Sequence, residues 1–217
     1  MTEKDHVSNT TENLYWRTLM SQDPASLCRR TLATFDPERK TYTLQVADRS
    51  YMIDLNARMI APEGTTGGDS DDVGWDVRLL VLAYLTSATE TPLVGRWVSP
   101  VEFSGGDLFF SSDAHNLQFV DLLHAFRSPT EFLRAGEKIG GRRETIGDTS
   151  FVLRTFPRIP ILFIYWAGDE ELPSKISVLV DESAARHLAI DGLWLAIRFT
   201  EKRLAQAMKS EDGRSSP

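Results

Sequence analysis

The stretch that most limits how this chain can fold is residues 151–181, which read FVLRTFPRIPILFIYWAGDEELPSKISVLVD. Its first part alternates apolar and polar side chains, its second part is almost continuously apolar from Ile159 to Trp166, and a third apolar run ends at Asp181. Apolar runs of this kind, separated by connections that contain Pro and Gly, are typical of β-strands. The stretch therefore predicts three neighbouring strands of an antiparallel meander.

The length and composition of the chain fit one globular domain. The chain has 217 residues, of which 41% are hydrophobic and 25% are charged, and both fractions are ordinary for a protein with a packed core. We predict a single domain over residues 11–208, with a flexible tail at residues 1–10 and another at residues 209–217. The longest apolar stretches are much shorter than the ~20 residues that a transmembrane helix needs.

The remaining patterns predict helices and further strands around this meander. Residues 41–46 and 51–55 alternate as a hairpin does. Residues 75–88 are apolar nearly all the way round, which predicts a core helix under the sheet, and residues 191–208 carry apolar side chains at helical spacing. Asp23 followed by Pro24 is typical of the start of a helix. We therefore predict an α+β fold in which an antiparallel sheet of about five to seven strands packs against helices.

Charge and cysteine content exclude several classes of function. The formal net charge of −7 disfavours binding to nucleic acid or to an anionic membrane surface, because both need clustered positive charge. The single cysteine, Cys28, permits neither a disulfide framework nor a cysteine-ligated zinc or iron–sulfur site within one chain. The first residues lack the apolar segment of a signal peptide. These features indicate a cytoplasmic protein.

Three consecutive carboxylates mark the candidate site. Asp169, Glu170 and Glu171 follow Gly168 in the loop between the second and third predicted strands. In an extended chain Asp169 and Glu171 point to one face, where two carboxylates can hold Mg²⁺ or Ca²⁺ or share a proton. We expect Asp181, at the end of the neighbouring strand, to bring a third ligand, and Trp166 to form a wall of the pocket. The alternative is a hydrated turn.

Other candidate chemistry is weaker. The four histidines show no spacing typical of a zinc site or of a Ser–His–Asp triad. The pair Arg142–Arg143 can contact an anion, and the alternative for it is a solvated strand end. No catalytic constellation is therefore predicted.

The motifs LLVLAYLTSATETPLVGRWVSPVEFSGGDLFF (79–110), FLRAGEKIGG (132–141) and PRIPILFIYWAGDEELPSKISVLVDESAARHL (157–188) carry a resemblance to a known family. In their order they resemble an uncharacterised prokaryotic family, domain-of-unknown-function family thirty-seven eighty-six. The resemblance implies no activity. Some relatives carry an additional cysteine-rich iron–sulfur segment, which this chain lacks, so no iron–sulfur cluster is expected.

Three functional hypotheses follow from the sequence. The leading one is a cytosolic, non-catalytic accessory or ligand-binding domain, because no catalytic constellation is predicted. The second is a metal-dependent enzyme with its carboxylate site in the loop Gly168–Glu171. The third is a structural partner in a protein complex, in which an apolar face contacts another protein.

Overall fold

The strands of this computed structural model fall into two antiparallel sheets. The structure describes residues 3–64, 73–126 and 128–212. The smaller sheet is a meander of four strands in chain order: β1 (Thr34–Asp36), β2 (Thr41–Val46), β3 (Arg49–Asp54) and β4 (Met59–Pro62). The predicted hairpin is confirmed, with a turn of two residues because Val46 pairs with Arg49.

The larger sheet contains residues 151–181, the stretch predicted to form three neighbouring strands. Its spatial order is β5-β9-β8-β7-β6, and the ranges are β5 (Trp97–Val98), β6 (Arg142–Glu144), β7 (Thr149–Phe156), β8 (Ile159–Trp166) and β9 (Lys175–Asp181). All neighbours are antiparallel, so the predicted meander of β7, β8 and β9 is confirmed. Its five strands lie within the predicted number, and the four strands of the smaller sheet are additional.

Seven helices occur in the part of the chain that the structure describes. Their ranges are α1 (Glu3–Met20), α2 (Pro24–Thr31), α3 (Trp75–Ser87), α4 (Gly106–Phe110), α5 (Val120–Ala125), α6 (Pro129–Lys138) and α7 (Ile190–Asp212). Asp23 caps α2 as predicted, since its carboxylate accepts a 2.8 Å hydrogen bond from the Ser26 amide. No described helix combines the length and the apolarity needed to cross a bilayer.

Two helices extend into stretches for which the sequence predicted tails. Helix α1 begins at Glu3, and α7 continues to Asp212. Neither extension contains Pro or Gly, and the residues from 201 to 212 are mostly good helix formers.

The predicted α+β class is confirmed, and a continuous core joins both sheets to the helices. Phe151 of β7 and Phe163 of β8 stack in this core with their ring centroids 5.5 Å apart. Helix α3, predicted to lie under the sheet, contacts it through Tyr84, which stacks on Phe156 at 4.2 Å. The two sheets meet where the Ala47 amide donates a 3.0 Å hydrogen bond to the Thr155 carbonyl.

The larger sheet is apolar on both faces. On the inner face, residues such as Phe151, Ile161 and Val178 belong to the main core. On the outer face, Val152, Leu162 and Ile164 form a second, smaller apolar cluster, against which Trp97 and Leu179 pack. Because β8 contributes to both clusters, its continuous apolar sequence follows from its position in the centre of the sheet.

Candidate functional site

The predicted acidic loop forms a self-contained turn. The Asp169 carboxylate accepts hydrogen bonds of 2.8 Å from the amides of Leu172 and Glu171, and the Asp169 amide donates to the Leu172 carbonyl. The bonds from Leu172 and then Glu171 hold the pKa of Asp169 below its usual value. Glu170 and Glu171 are exposed. The loop thus has the geometry of an Asx turn in water.

The structure does not bring Asp181 to this loop, which corrects the expectation of a third ligand there. Strand β9 begins at Lys175, beside the loop, and ends at Asp181. Its seven residues span about 20 Å at ~3.3 Å per residue, so Asp181 lies at the opposite end of the sheet. No group of three or more His, Cys, Asp or Glu side chains suited to a metal ion occurs within residues 3–64, 73–126 and 128–212.

Trp166 lines a pocket. Its side chain is 37% exposed, its indole N–H donates a 3.1 Å hydrogen bond to the Ser177 hydroxyl, and the Lys175 ammonium lies 5.8 Å from the ring centroid. The pocket has a volume of about 500 Å³, and its other lining residues are Asp148, Ala167, Leu172, Pro173 and Lys175. The carboxylates of Asp169, Glu170 and Glu171 are not among the lining residues.

Asp181 instead anchors a loop at the far end of the sheet. The side chain is 3% exposed, and its carboxylate accepts hydrogen bonds from the amides of Val94 (3.0 Å) and Gly95 (2.7 Å) and from the amide and hydroxyl of Ser183. Burial by itself would raise the pKa of Asp181. The hydrogen bonds from Ser183, Val94 and Gly95 outweigh it, so that the pKa is lower than usual. Asp181 therefore stays ionised and fully hydrogen-bonded.

The loop held by Asp181 is fixed at two further points. The Arg158 guanidinium donates a 3.3 Å hydrogen bond to the Thr91 carbonyl, and the Thr89 amide donates to His187 Nδ1 at 3.4 Å. His187 is fully buried, and its Nε2 has no hydrogen-bond partner among the described residues. Residues 89–97 consequently form a defined wall beside the sheet.

This wall borders a second pocket, which we call the outer groove. It crosses the outer face of the larger sheet and has a volume of about 440 Å³. Its lining residues are Ala47, Leu93, Gly95, Trp97, Gly140, Arg142, Val152, Leu153, Arg154, Pro160 and Asp181. The groove thus collects residues from all five strands of the larger sheet, from the turn between β2 and β3, and from the loops before β5 and β6.

The floor of the outer groove is one cross-strand row. Arg154 of β7 pairs with Pro160 of β8, and Trp97 of β5 pairs with Asp181 of β9. The two pairs lie in line, because Ile161, the residue after Pro160, pairs with Val180, the residue before Asp181. Residues directly opposite each other in a sheet point to the same face. The row therefore runs from a guanidinium, over a proline and a carboxylate, to an indole.

Two guanidinium groups lie at one end of the groove. Arg142 pairs with Val152 in the sheet, which places it on the outer face, and it forms a salt bridge with Glu144. Arg154 is exposed and forms no salt bridge with any residue that the structure describes. Arg143 pairs with Phe151 and so belongs to the opposite face. Of the Arg142–Arg143 pair, only Arg142 lines the groove.

Neither Arg154 nor Trp97 was predicted from the sequence as a candidate site residue. A weak signal for Arg154 exists, since it is a charged residue within the alternating strand FVLRTF. Trp97 had no such signal, because its position depends on the pairing of β5 with β9. Its partner in that pairing, Asp181, lies 84 residues later in the chain.

No curated protein and no solved structure matches this chain. A family model does match it over residues 23–202, which include both sheets, all of the outer groove and the loop at Trp166. The match covers well over half of the 217 residues, so this chain belongs to the family described as domain of unknown function (DUF3786).

Proposed function

We propose that this chain is a non-catalytic ligand-binding domain whose site is the outer groove and whose ligand carries an oxyanion, either a carboxylate or a phosphate. The observation that carries the proposal is Arg154. Its guanidinium lines a groove of about 440 Å³ and forms no salt bridge within the described ranges. The volume lies in the range of ~300–1,000 Å³ that is usual for small-molecule sites.

The charge around the groove favours an anion. The chain as a whole has a net charge of −7, and yet this end of the groove is formed by two guanidinium groups. A guanidinium donates two parallel hydrogen bonds to a carboxylate or phosphate, which makes arginine the usual residue for recognition of planar or tetrahedral oxyanions. Arg142 is already partly neutralised by Glu144, so Arg154 is the main contact in this proposal.

A binding role fits the groove better than catalysis. Its carboxylate, Asp181, already accepts hydrogen bonds from Val94, Gly95 and Ser183. A general base needs a lone pair directed at the substrate, and the lone pairs of Asp181 are directed at the protein. We place the activity in the cytoplasm, which the single cysteine supports.

The outer groove supports this function better than the pocket at Trp166 does. The cation of the Trp166 pocket, Lys175, already lies over the indole ring. That pocket is also built from two loops and two strand ends, whereas the groove is lined by all five strands of the larger sheet, by the β2–β3 turn and by two loops. A site held by several elements keeps its shape with less loss of entropy on binding.

The test is a titration with inorganic phosphate at constant ionic strength, in which ¹H–¹⁵N NMR spectra monitor binding. The unmodified protein is compared with Arg154→Gln and with the control Arg143→Gln, which removes the same charge from the opposite face of the neighbouring strand. We expect Arg154→Gln to weaken binding about tenfold or more, and Arg143→Gln to change it less than about twofold. Equal affinity in the two variants, or no phosphate-dependent shift in the unmodified protein, would contradict the proposal.

A further inference from the structure

The two ends of the outer groove differ in chemistry. Arg142 and Arg154 form one end, on β6 and β7, whereas Trp97 and Leu93 form the other, at β5 and the loop before it. Between Arg154 and Trp97 lie the strands β8 and β9. Three strand spacings of ~4.8 Å place the two Cα atoms about 14 Å apart.

The end at Trp97 is apolar and pre-formed. The Trp97 side chain is partly buried because it packs against the cluster of Val152, Leu162 and Ile164. Leu93 is 38% exposed beside it, and the buried Pro160 contributes to the floor. An indole held by its neighbours offers a rigid surface on which an apolar or aromatic group can stack at low entropic cost.

The charge of Asp181 makes this end unsuitable for a second anion. Asp181 is paired with Trp97 in the sheet, and its carboxylate is held ionised by the amides of Val94 and Gly95. A negative group placed at Trp97 would be repelled by this carboxylate, whereas a negative group at Arg154 is attracted. The groove is thus polarised along its length.

The volume also exceeds what a bare oxyanion can fill. Phosphate bound at Arg154 would leave most of the 440 Å³, including the apolar end, in contact with water. Removing apolar surface from water is favourable. A ligand that covers both ends therefore binds more tightly than its anionic head alone.

We infer that the ligand of the outer groove is an elongated organic anion, with its oxyanion head at Arg154 and an uncharged aromatic or apolar tail against Trp97 and Leu93. This inference rests on the proposed function, in which Arg154 binds an oxyanion. It adds the polarity of the ligand, its length and the class of its tail.

The experiment compares three probes, namely inorganic phosphate, phenyl phosphate and phenol, with the unmodified protein and with Arg154→Gln, Trp97→Ala and Leu93→Ser. We expect phenyl phosphate to bind about tenfold more tightly than phosphate. Trp97→Ala should remove this gain, measured as the ratio of the two affinities within the same variant. Arg154→Gln should weaken both anionic probes, and phenol should bind more weakly than phenyl phosphate.

Leu93→Ser keeps the test valid if Trp97→Ala fails to fold, because Leu93 lies in an exposed loop. It should remove part of the gain from the phenyl group. If phosphate binds through Arg154 but phenyl phosphate is no tighter, or if its gain survives both tail variants, the inference is wrong and the proposed function stands. If phosphate binding does not depend on Arg154, the proposed function and the inference both fail.

Discussion

The buried carboxylate of Asp181 and the backbone amide of Gly95 are joined by a hydrogen bond of 2.7 Å. Gly95 has φ of +78°, a conformation that glycine adopts without strain. Together with the bond from Val94, this contact fixes the loop that forms the Trp97 wall of the outer groove. The last residue of one strand thus determines the shape of the candidate site.

Replacement of Asp181 by Ala tests this anchor. The variant leaves the amides of the exposed Val94 and Gly95 and of the buried Ser183 without their acceptor, and we expect the free energy of unfolding to fall by about 1–3 kcal/mol. Urea denaturation measures the loss, and hydrogen exchange at Val94 and Gly95 should accelerate. The control is Glu182→Gln, which removes the neighbouring exposed carboxylate that pairs with Arg96. Similar exchange rates at Gly95 in both variants would contradict the anchoring role.

His187 predicts a specific dependence of stability on pH. Burial, followed by the positive charge of Arg158, lowers the pKa of His187 from 6.5 to about 4, although Asp181 acts in the opposite direction. The unfolded chain therefore binds a proton between pH 6.5 and 4 that the folded chain does not. The free energy of unfolding therefore has its full value above pH 6.5, and protonation of His187 in the unfolded chain lowers it by about 3 kcal/mol in total as the pH falls toward 4.

The measurement for His187 is the free energy of unfolding between pH 7.5 and 4 for the unmodified protein and for His187→Gln. The unmodified protein should lose more stability than the variant below pH 6.5, because the variant lacks the titrating group. Profiles that remain parallel across this range would show that His187 is not held neutral by the fold.

The buried hydroxyls of Thr155 and Thr200 are hydrogen-bonded to each other, and removing one of them should cost more stability than removing the other. Thr200 donates to the Ala196 carbonyl at 3.1 Å, so the Thr155 hydroxyl is the donor in the 2.9 Å bond between the two side chains. Thr200→Val removes the acceptor of Thr155 and should cost about 1–3 kcal/mol. Thr155→Val leaves the bond to Ala196 intact and should cost less. A double-mutant cycle in urea measures the coupling, and strictly additive effects would argue against this pairing.

Gly136 of α6 is required by close packing against the larger sheet. A Cβ atom at this position would lie 2.4 Å from the ring of Phe151, which is fully buried and stacked on Phe163. Gly136→Ala should therefore lower the free energy of unfolding by about 1–2 kcal/mol, although alanine favours the helix by ~1 kcal/mol. Glu137→Ala, at the exposed next position of α6, is the control and should not be destabilising. A more stable Gly136→Ala variant would refute the packing argument.

Local pattern was sufficient to predict the central part of the fold. The alternation in FVLRTF and the apolar run from Ile159 gave the strands β7 and β8, and the apolar run up to Asp181 gave β9. The position of Asp181 was also available from the sequence and was misinterpreted. In an antiparallel meander the last residue of a strand lies at the opposite end from the turn that precedes it.

The outer groove was not predictable in the same way. It exists because β5 crosses back to pair with β9 and because β6 carries Arg142 to the other edge of the sheet. These pairings join residues that are far apart in sequence, and no periodicity within either segment specifies them. The division of the strands into two sheets has the same origin, since each hairpin pattern is local and the contact between Ala47 and Thr155 is not.

The most direct test of the central claim is the NMR signal of the indole N–H groups during a titration with phenyl phosphate. The chain has five tryptophans, and two of them report on the two pockets: Trp97 on the outer groove and Trp166 on the pocket beside the acidic loop. We predict that the Trp97 resonance shifts with saturation while the Trp166 resonance stays in place. A shift of Trp166 with no change at Trp97 would contradict the account.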